Sequence, residues 1–429
     1  MILKTNNKDN INKEILEIKS KKVDNIFFKS SVKDLTHLKT YTIDDKDTLE
    51  IDDAISLERV AGQNKLWIHI ASPATHIDYN STVDKIASKH ISSIYLAADN
   101  IYMFPEVLIK EIFSFTNKEA RSSISMGVIL NNDGSVFFSE IVRSIILPNY
   151  QLSYEDADLL IDYAPKEEED LNIIFSILDK RKKWRKQFGS KEILESYGKI
   201  VVNNNIPINR IINPTLSRIL ISEAMILYGD LISIYTKNNN IPVPYRVQEY
   251  NCNLYNDKDI SKDNIILNNF LKKRGMGKTH YSSKPLRHHS LGLNSYLHAT
   301  SPIRRYSDLL VHYQITRFLD NKDLISKEEI DKNIKIINNL SRQNINKYRE
   351  DQKIWMNKFF EINLFEDFKV IFLQWINRYK NISIIYFMEY SFSSICYLKS
   401  KSEIKAGDNI SIKNITNDYS DMLYFKTIS

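Results

Sequence analysis

The stretch from Tyr41 to Ile55, YTIDDKDTLEIDDAI, constrains this chain more than any other. It sets Asp44, Asp45, Asp47, Glu50, Asp52 and Asp53 within ten positions and interleaves them with Ile43, Ile51, Ala54 and Ile55. Carboxylates packed this densely repel one another unless a cation neutralises them. The apolar neighbours draw part of the run toward the core, where an unpaired carboxylate is costly. Hard oxygen ligands of this kind suit Mg²⁺ or Mn²⁺. An EF-hand loop counted from Asp45 is excluded, because its sixth position lacks the required Gly and its twelfth the required Glu. An acidic, solvated turn between two strands is the other reading that composition allows.

A second segment bears on that choice. In YLHATSPIRRYSDLLVHYQI, residues 296–315, Pro302 is expected to start a helix with Arg304 and Arg305 in its first turn. Cations there oppose the helix dipole, so an anion nearby would rationalise them. Asp308 can be that partner, or a phosphate can, since guanidinium matches phosphate bidentately. Metal-binding carboxylates joined to an arginine clamp describe a phosphodiester hydrolysis site.

The rest of the chain supplies a scaffold of ordinary globular composition. Its 429 residues, 43% hydrophobic and 26% charged, suffice for two or three domains. Cys252 and Cys396 are too few for a disulfide framework or a thiolate zinc site, which points to a reducing compartment. No apolar run suggests a membrane span and the first residues lack a secretory apolar core, so no membrane partner is expected. Residues 1–40 hold nine Lys against five acidic residues and read as a short basic arm, with one amphipathic helical stretch near Ile11 to Ile18. Strand patterns follow at Asp53 to Arg59, Lys65 to Ile70, and Met126 to Leu130 with Phe137 to Val142 around Asn132-Asp133-Gly134. Helical periodicity covers Tyr154 to Lys186, Leu216 to Thr236, Ser307 to Asp320 and the long polar stretch Lys327 to Phe360. Beyond it, short alternating strands at Asn381 to Tyr386, Ser394 to Leu398, Asn409 to Ile415 and Met422 to Lys426 suggest a small OB-type barrel. The fold class is therefore α+β, a mixed sheet with helices followed by a small β-barrel.

Three local patterns imitate functional motifs. Gly277-Lys278-Thr279 resembles the end of a P-loop but has Lys272 at the upstream glycine position. His288 and His289, near His280 and His298, lack zinc-binding spacing. Lys180 to Lys186, KRKKWRK, is expected to be a solvated helix face, with an RNA-contacting patch as the alternative.

At the acidic and arginine segments the chain resembles the catalytic (RNB) domain of the ribonuclease II / ribonuclease R family. The family's acidic motif stands here as Thr42-Ile43-Asp44 followed by Glu50-x-Asp52-Asp53, and its arginine motif as Thr300 to Tyr306 with Asp308. WIHIA (Trp67 to Ala71), SIYL (Ser93 to Leu96), MFP (Met103 to Pro105), SEAMIL (Ser222 to Leu227) and HSLGL (His289 to Leu293) match in the same order. Glu-Ile-Asp-Asp and VPYRVQ (Val243 to Gln248) look most like the short cyanobacterial and plastid branch.

The resemblance implies a hydrolytic 3′→5′ exoribonuclease that degrades single-stranded RNA to nucleoside 5′-monophosphates. It implies Asp44, Glu50, Asp52 and Asp53 as ligands of Mg²⁺ or Mn²⁺, with Asp52 and Arg304 catalytic. Tyr95, Arg304 and Arg305 would contact RNA, Tyr95 by stacking on the terminal base. The implied division is a basic arm at 1–40, the catalytic domain at 41–365 and an OB-fold-like RNA-binding domain at 366–429. Of the barrel aromatics Tyr386, Phe387, Tyr390, Phe392 and Tyr397, a core role is favoured over a stacking surface. Glu50 stands where better-known members have Asp, and Ser72 where they have Asp after HIA. Forty residues cannot hold the N-terminal cold-shock domains of the family, which implies weaker substrate retention. The alternative function is a catalytically inactive RNA-binding relative. Family precedent suggests a monomer, and the Asn-, Ile- and Lys-rich, glycine-poor composition suggests an organelle-encoded protein of the plastid stroma, or else a bacterial cytoplasmic one.

Overall fold

The computed structural model describes residues 2–20, 32–116, 118–250, 264–362, 367–400, 403–415 and 423–428. Cys252 lies outside them.

Helix α1 (Ile2–Ser20) opens the chain and takes in the stretch expected to be helical. It packs along α2 (Thr82–His90), where Glu14 accepts the Thr82 N–H at 2.9 Å and Ile18 is buried. Four strands follow in chain order up to that second helix: β1 (Val32–Asp34), β2 (Thr40–Asp44), β3 (Asp53–Val60) and β4 (Gln63–Ala71). After α2 come the short pair β5 (Ile94–Tyr95) and β6 (Asn100–Ile101), then β7 (Arg121–Leu130), β8 (Val136–Ile146) and β9 (Tyr150–Ser153). Seven of these strands form one sheet in the order β1-β8-β7-β4-β3-β2-β9, antiparallel at its centre and parallel at both edges.

The sheet is covered on both faces, which explains why Leu66, Trp67 and Ile68 can all be buried on consecutive positions. One face packs under α3 (Tyr154–Tyr163), α4 (Glu169–Gln187) and α5 (Leu216–Asn238), burying Ile55, Ile68 and Met126 against Leu171, Phe175 and Leu227. The hairpins β10 (Tyr197–Asn203) with β11 (Ile206–Ile212), and β12 (Tyr245–Tyr250) with β13 (Met276–Ser282), flank the body, with α6 (Ile265–Gly275) between the last two. The other face of the sheet meets α2, α7 (Tyr306–Leu319) and α8 (Lys327–Ile362) through Trp67, Val83, Leu310 and Ile334. Helix α5 is long and apolar enough to cross a membrane, but most of that apolar stretch is buried here as the core helix.

Two sequence expectations are corrected. The segment Lys180–Lys186 is solvated only in part: Lys180, Lys183 and Lys186 are exposed, but Arg181 and Arg185 are buried. Helix α4 lies against α5, whose acids face it, so Arg181 pairs with Asp230 at 2.7 Å and Arg185 grips Glu223 at 2.6 Å. Lys182 and Lys186 pair with Glu192. The arginine segment does not begin a helix at Pro302. Residues 302–304 form turns, Arg305 bridges Ser92, and α7 starts only at Tyr306, whose N–H is taken by the Ile91 carbonyl in place of a carbonyl one turn earlier. The P-loop imitation lies in β13, where Gly277 lets the backbone approach; a Cβ there would fall 1.9 Å from the Glu249 carbonyl oxygen.

The C-terminal strands β14 (Asp367–Asn377), β15 (Ile382–Phe387), β16 (Phe392–Lys399), β17 (Asn409–Asn414) and β18 (Leu423–Thr427) close into the expected five-stranded barrel. Phe387 and Phe392 are core, Tyr386 is buried, and Tyr397 packs on Tyr424 at the surface. Phe360, in the last turn of α8, plugs one end of the barrel with its ring 5.0 Å from Phe387 and 5.3 Å from Phe368. It is fully buried, so Phe360→Ala is expected to cost about 3–5 kcal/mol. Urea unfolding followed by near-UV circular dichroism would read this loss.

Candidate active site

The acidic run crosses from β2 to β3, and its backbone is pinned from both sides. The Ile51 N–H donates to Ser114 Oγ at 2.9 Å, Phe115 N–H donates to the Ile51 carbonyl at 3.0 Å, and Ala71 N–H to the Asp52 carbonyl at 2.8 Å. These bonds hold the loop against the sheet edge and sort the six carboxylates. Asp45 is turned outward onto Arg218, with Arg210 also near, and Asp47 is exposed. Glu50 and Asp52 are buried, Asp44 and Asp53 half-buried, and all four lie within the electrostatic reach of Arg304, so a freely solvated turn does not describe them.

Asp52 is the centre of the cluster and is 2% exposed. Its Oδ1 accepts the Ile303 N–H at 2.9 Å. Its Oδ2 is buried with no hydrogen-bond partner, and the Arg304 Nε stands 3.4 Å away. Arg304 is itself steadied by a 2.9 Å bond from its guanidinium to Ser301 Oγ. Glu50 is 3% exposed and held by two hydroxyls, Ser93 Oγ at 2.8 Å and Tyr95 OH at 2.6 Å. Asp44 Oδ1 accepts from its neighbour's N–H and from Thr48 Oγ1.

Burial dominates the electrostatics. It raises the Asp52 carboxyl well above the ordinary range, with Arg304 and the Ile303 N–H opposing and Glu50 and Asp53 adding repulsion. Burial, then the charge of Asp44, pushes Asp53 up to about 7. Asp44 and Glu50 are raised by burial as well. Arg304 shows the converse: burial and Arg305 act to lower it, yet Asp52 and its other neighbours hold it above its ordinary value. Four carboxylates thus share one arginine, and a neutralising charge is in short supply.

The sequence-derived residues meet here, with two additions to their description. The Tyr95 ring lines a cavity of about 510 Å³, while its hydroxyl is engaged by Glu50. Arg305 lines the same cavity and spends its Nε and one terminal nitrogen on Asp308 at 2.9 and 2.6 Å. Among the described residues no three His, Cys, Asp or Glu side chains converge tightly enough to enclose a metal ion. The buried, partnerless Asp52 oxygen and the all-carboxylate donor set nevertheless suit a hard divalent cation. The histidine cluster serves other ends: His298 bonds Tyr281, and His288 stacks edge-on with Tyr296. Ser72 closes a turn through Thr75 Oγ1 at 2.9 Å.

Sequence reasoning missed Ser93, Ser114, Ser301 and Arg218 as parts of the site. Ser93 and Ser301 lie inside quoted motifs, but nothing local assigns them a role. Arg218 lies 173 positions from its partner Asp45 and carries no signal of its own. It also stacks on Tyr154 beside a cleft of about 650 Å³ that is lined by Lys182, Lys186, Lys191 and Lys273.

Comparison with known proteins fits this arrangement. The RNB domain matches residues 32–321, and the chain belongs to that family, which includes ribonuclease II and ribonuclease R. It is 32% identical over 383 residues to an uncharacterized ribonuclease of Synechocystis, covering 89% of this chain and 57% of that one. It is 34% identical over 298 residues to the chloroplastic/mitochondrial ribonuclease II of Arabidopsis thaliana, covering 68% of this chain and 37% of that one. The chain thus spans about half the length of the curated relatives it matches. Among solved structures, ribonuclease R of Mycoplasma genitalium in complex with single-stranded RNA superimposes with a TM-score of 0.82 at 21% identity, over 93% of this chain and 72% of that one. The yeast pseudonuclease Ssd1 shares the fold with a TM-score of 0.66 at 16% identity, over 88% of this chain and 51% of that one.

A pH dependence follows from Asp53. Its carboxyl titrates near 7 in the folded chain against an ordinary 3.8. The folded state therefore keeps a proton that the unfolded state has lost. Stability from this group is full below pH 4 and is lost as pH rises through 7, by an amount of the order of a few kcal/mol. Thermal unfolding of chelator-treated protein across that window should show the decline, and Asp53→Asn should make it shallower, with the raised Asp44, Glu50 and Asp52 carboxyls supplying the remainder.

Proposed function

We propose that this chain is the catalytic body of a hydrolytic 3′→5′ exoribonuclease that degrades single-stranded RNA to nucleoside 5′-monophosphates. The observation that carries the reading is the buried Asp52 Oδ2, which lacks a hydrogen-bond partner and lies 3.4 Å from Arg304. Asp44, Glu50, Asp52 and Asp53 would hold Mg²⁺, with Mn²⁺ as a substitute. Bound there, such an ion supplies an activated water and charge stabilisation at the leaving 3′-oxygen. Arg304 grips the scissile phosphate, and its guanidinium, already oriented by Ser301, offsets charge as it develops. The ring of Tyr95 stacks on the terminal base, a contact every base can make. Arg305, fixed by Asp308, presents its remaining surface to the same cavity.

Residues 41–365 act as the catalytic domain and 366–429 as an OB-fold-like RNA-holding domain, with the helix of the basic arm 1–40 bracing the body. The protein acts as a monomer. Relatives in a cyanobacterium and in a plant organelle, together with the composition, support a plastid-encoded stromal protein, with bacterial cytoplasm as the other setting.

A 5′-labelled, unstructured RNA of about thirty nucleotides tests the reading, since a stacking site takes single strands without sequence preference. With Mg²⁺ it should shorten in single steps and release 5′-monophosphates, and a 3′-phosphate should block it. Asp52→Asn should slow cleavage by about 100-fold or more while RNA affinity in chelator changes little. Binding without shortening, in Mn²⁺ as in Mg²⁺, would make the chain an inactive RNA-binding relative. Internal fragments would make it an endonuclease.

A further inference from the structure

Glu50 is the one carboxylate of the four whose two oxygens are each held by a side-chain hydroxyl. Both donors come from the short segment Ser93–Tyr95. That segment is built into the arginine turn as well. The Ser93 N–H donates to the Arg304 carbonyl at 3.0 Å, Ser92 bridges Arg305, and the Tyr306 N–H donates to the Ile91 carbonyl at 2.8 Å. Ser93 Oγ completes its own geometry by accepting the Met103 N–H at 3.0 Å. One serine thus touches the acidic loop through its side chain and the arginine turn through its backbone. The next residue but one supplies both a hydroxyl to Glu50 and an aromatic face to the cavity.

We infer that Ser93 and Tyr95 are positioning residues that hold the long Glu50 side chain in the shared pocket, so that occupancy of the Tyr95 ring by a base is coupled to the placement of Glu50. The inference rests on the metal-dependent reading proposed above. A glutamate has one more methylene than an aspartate and one more rotatable bond. Left alone it would sample several rotamers, and fixing it costs side-chain entropy. The two hydroxyls supply that fixation with hydrogen bonds to a charged acceptor, the stronger kind. Each oxygen keeps a lone pair for a cation. An aspartate is shorter by one methylene, so from the same backbone its carboxylate would draw back from the two hydroxyls that Glu50 reaches.

Tyr95→Phe keeps the ring and removes only the hydroxyl. Ser93→Ala removes the other donor, and Ser93→Thr restores one. Outer-shell partners of metal ligands are typically worth about 10–100-fold in metal affinity. Mn²⁺ binding to the RNA-free full chain, followed by electron paramagnetic resonance, should therefore weaken by about tenfold in Tyr95→Phe and in Ser93→Ala, with Ser93→Thr close to wild type. RNA affinity in chelator should fall in Tyr95→Leu but not in Tyr95→Phe. In a Glu50→Asp background the Tyr95→Phe penalty on Mn²⁺ affinity should disappear, because the interaction it removes is already absent. Wild-type Mn²⁺ affinity in both hydroxyl variants, or an undiminished penalty in the Glu50→Asp background, would overturn the positioning role while leaving metal-dependent hydrolysis standing. A wild-type chain that neither binds Mn²⁺ nor shortens RNA would overturn both.

Discussion

Everything at this site depends on four carboxylates, Glu50 and Asp52 buried and Asp44 and Asp53 half-buried, gathered beside Arg304. Desolvation raises each of them, and Arg304 cannot neutralise four. Buried acids in that state are tolerated only where the surrounding structure gives them no alternative. Here the alternatives are closed by backbone bonds. Ile51 is clipped to Ser114 and Phe115, Asp52 is tied to Ala71 through its carbonyl and to Ile303 through its side chain, and Asp53 opens β3 inside the central sheet. The strain of like charges is held by the sheet, which is covered by apolar helical layers on both sides.

The same sheet explains why so many charged side chains lie inside this protein without harming it. Away from the site several buried charges have an opposite charge beside them, Arg181 with Asp230, Arg185 with Glu223 and Arg143 with Asp320, while buried Asp84 is held by the hydroxyls of Tyr306 and Tyr313 and the Asn80 N–H. Removing one partner of such a pair leaves an uncompensated charge, which is why paired burial is a structural feature and unpaired burial a functional sign. Asp52 Oδ2 differs from these in being a buried carboxylate oxygen with no hydrogen bond, its nearest cation the Arg304 Nε at 3.4 Å. The contrast separates the acidic loop from the basic helix α4, whose charges looked equally available on paper.

Much of the architecture was legible along the chain. Alternation and turn chemistry located β3, β4 and the hairpin around Gly134. The period of the polar stretch located α8, and the short C-terminal strands announced a barrel. Strand β14 went unread, because the run from Asp367 to Asn377 alternates only at its start and then runs apolar from Val370 to Leu373. The start of α7 was misplaced because Pro302 is a good helix opener in isolation. The Tyr306 N–H, which a helix begun there would bond internally, is instead taken by the Ile91 carbonyl of a distant segment. The surface reading of KRKKWRK holds for Lys180, Lys183 and Lys186 but missed Arg181 and Arg185, because the acids that pair with them lie on another helix.

By itself, the sequence determined which residue types crowd together, since six acids in ten positions and two adjacent arginines are local facts. It also determined the family, through motifs spread in order along the chain. Tertiary structure decided which carboxylates turn inward, which arginine remains for them, and that the hydroxyls of Ser93 and Tyr95 reach Glu50. Those outcomes depend on hydrogen bonds between segments far apart in the chain, and a bond about 3 Å long is set by how two layers pack rather than by the residues beside either partner.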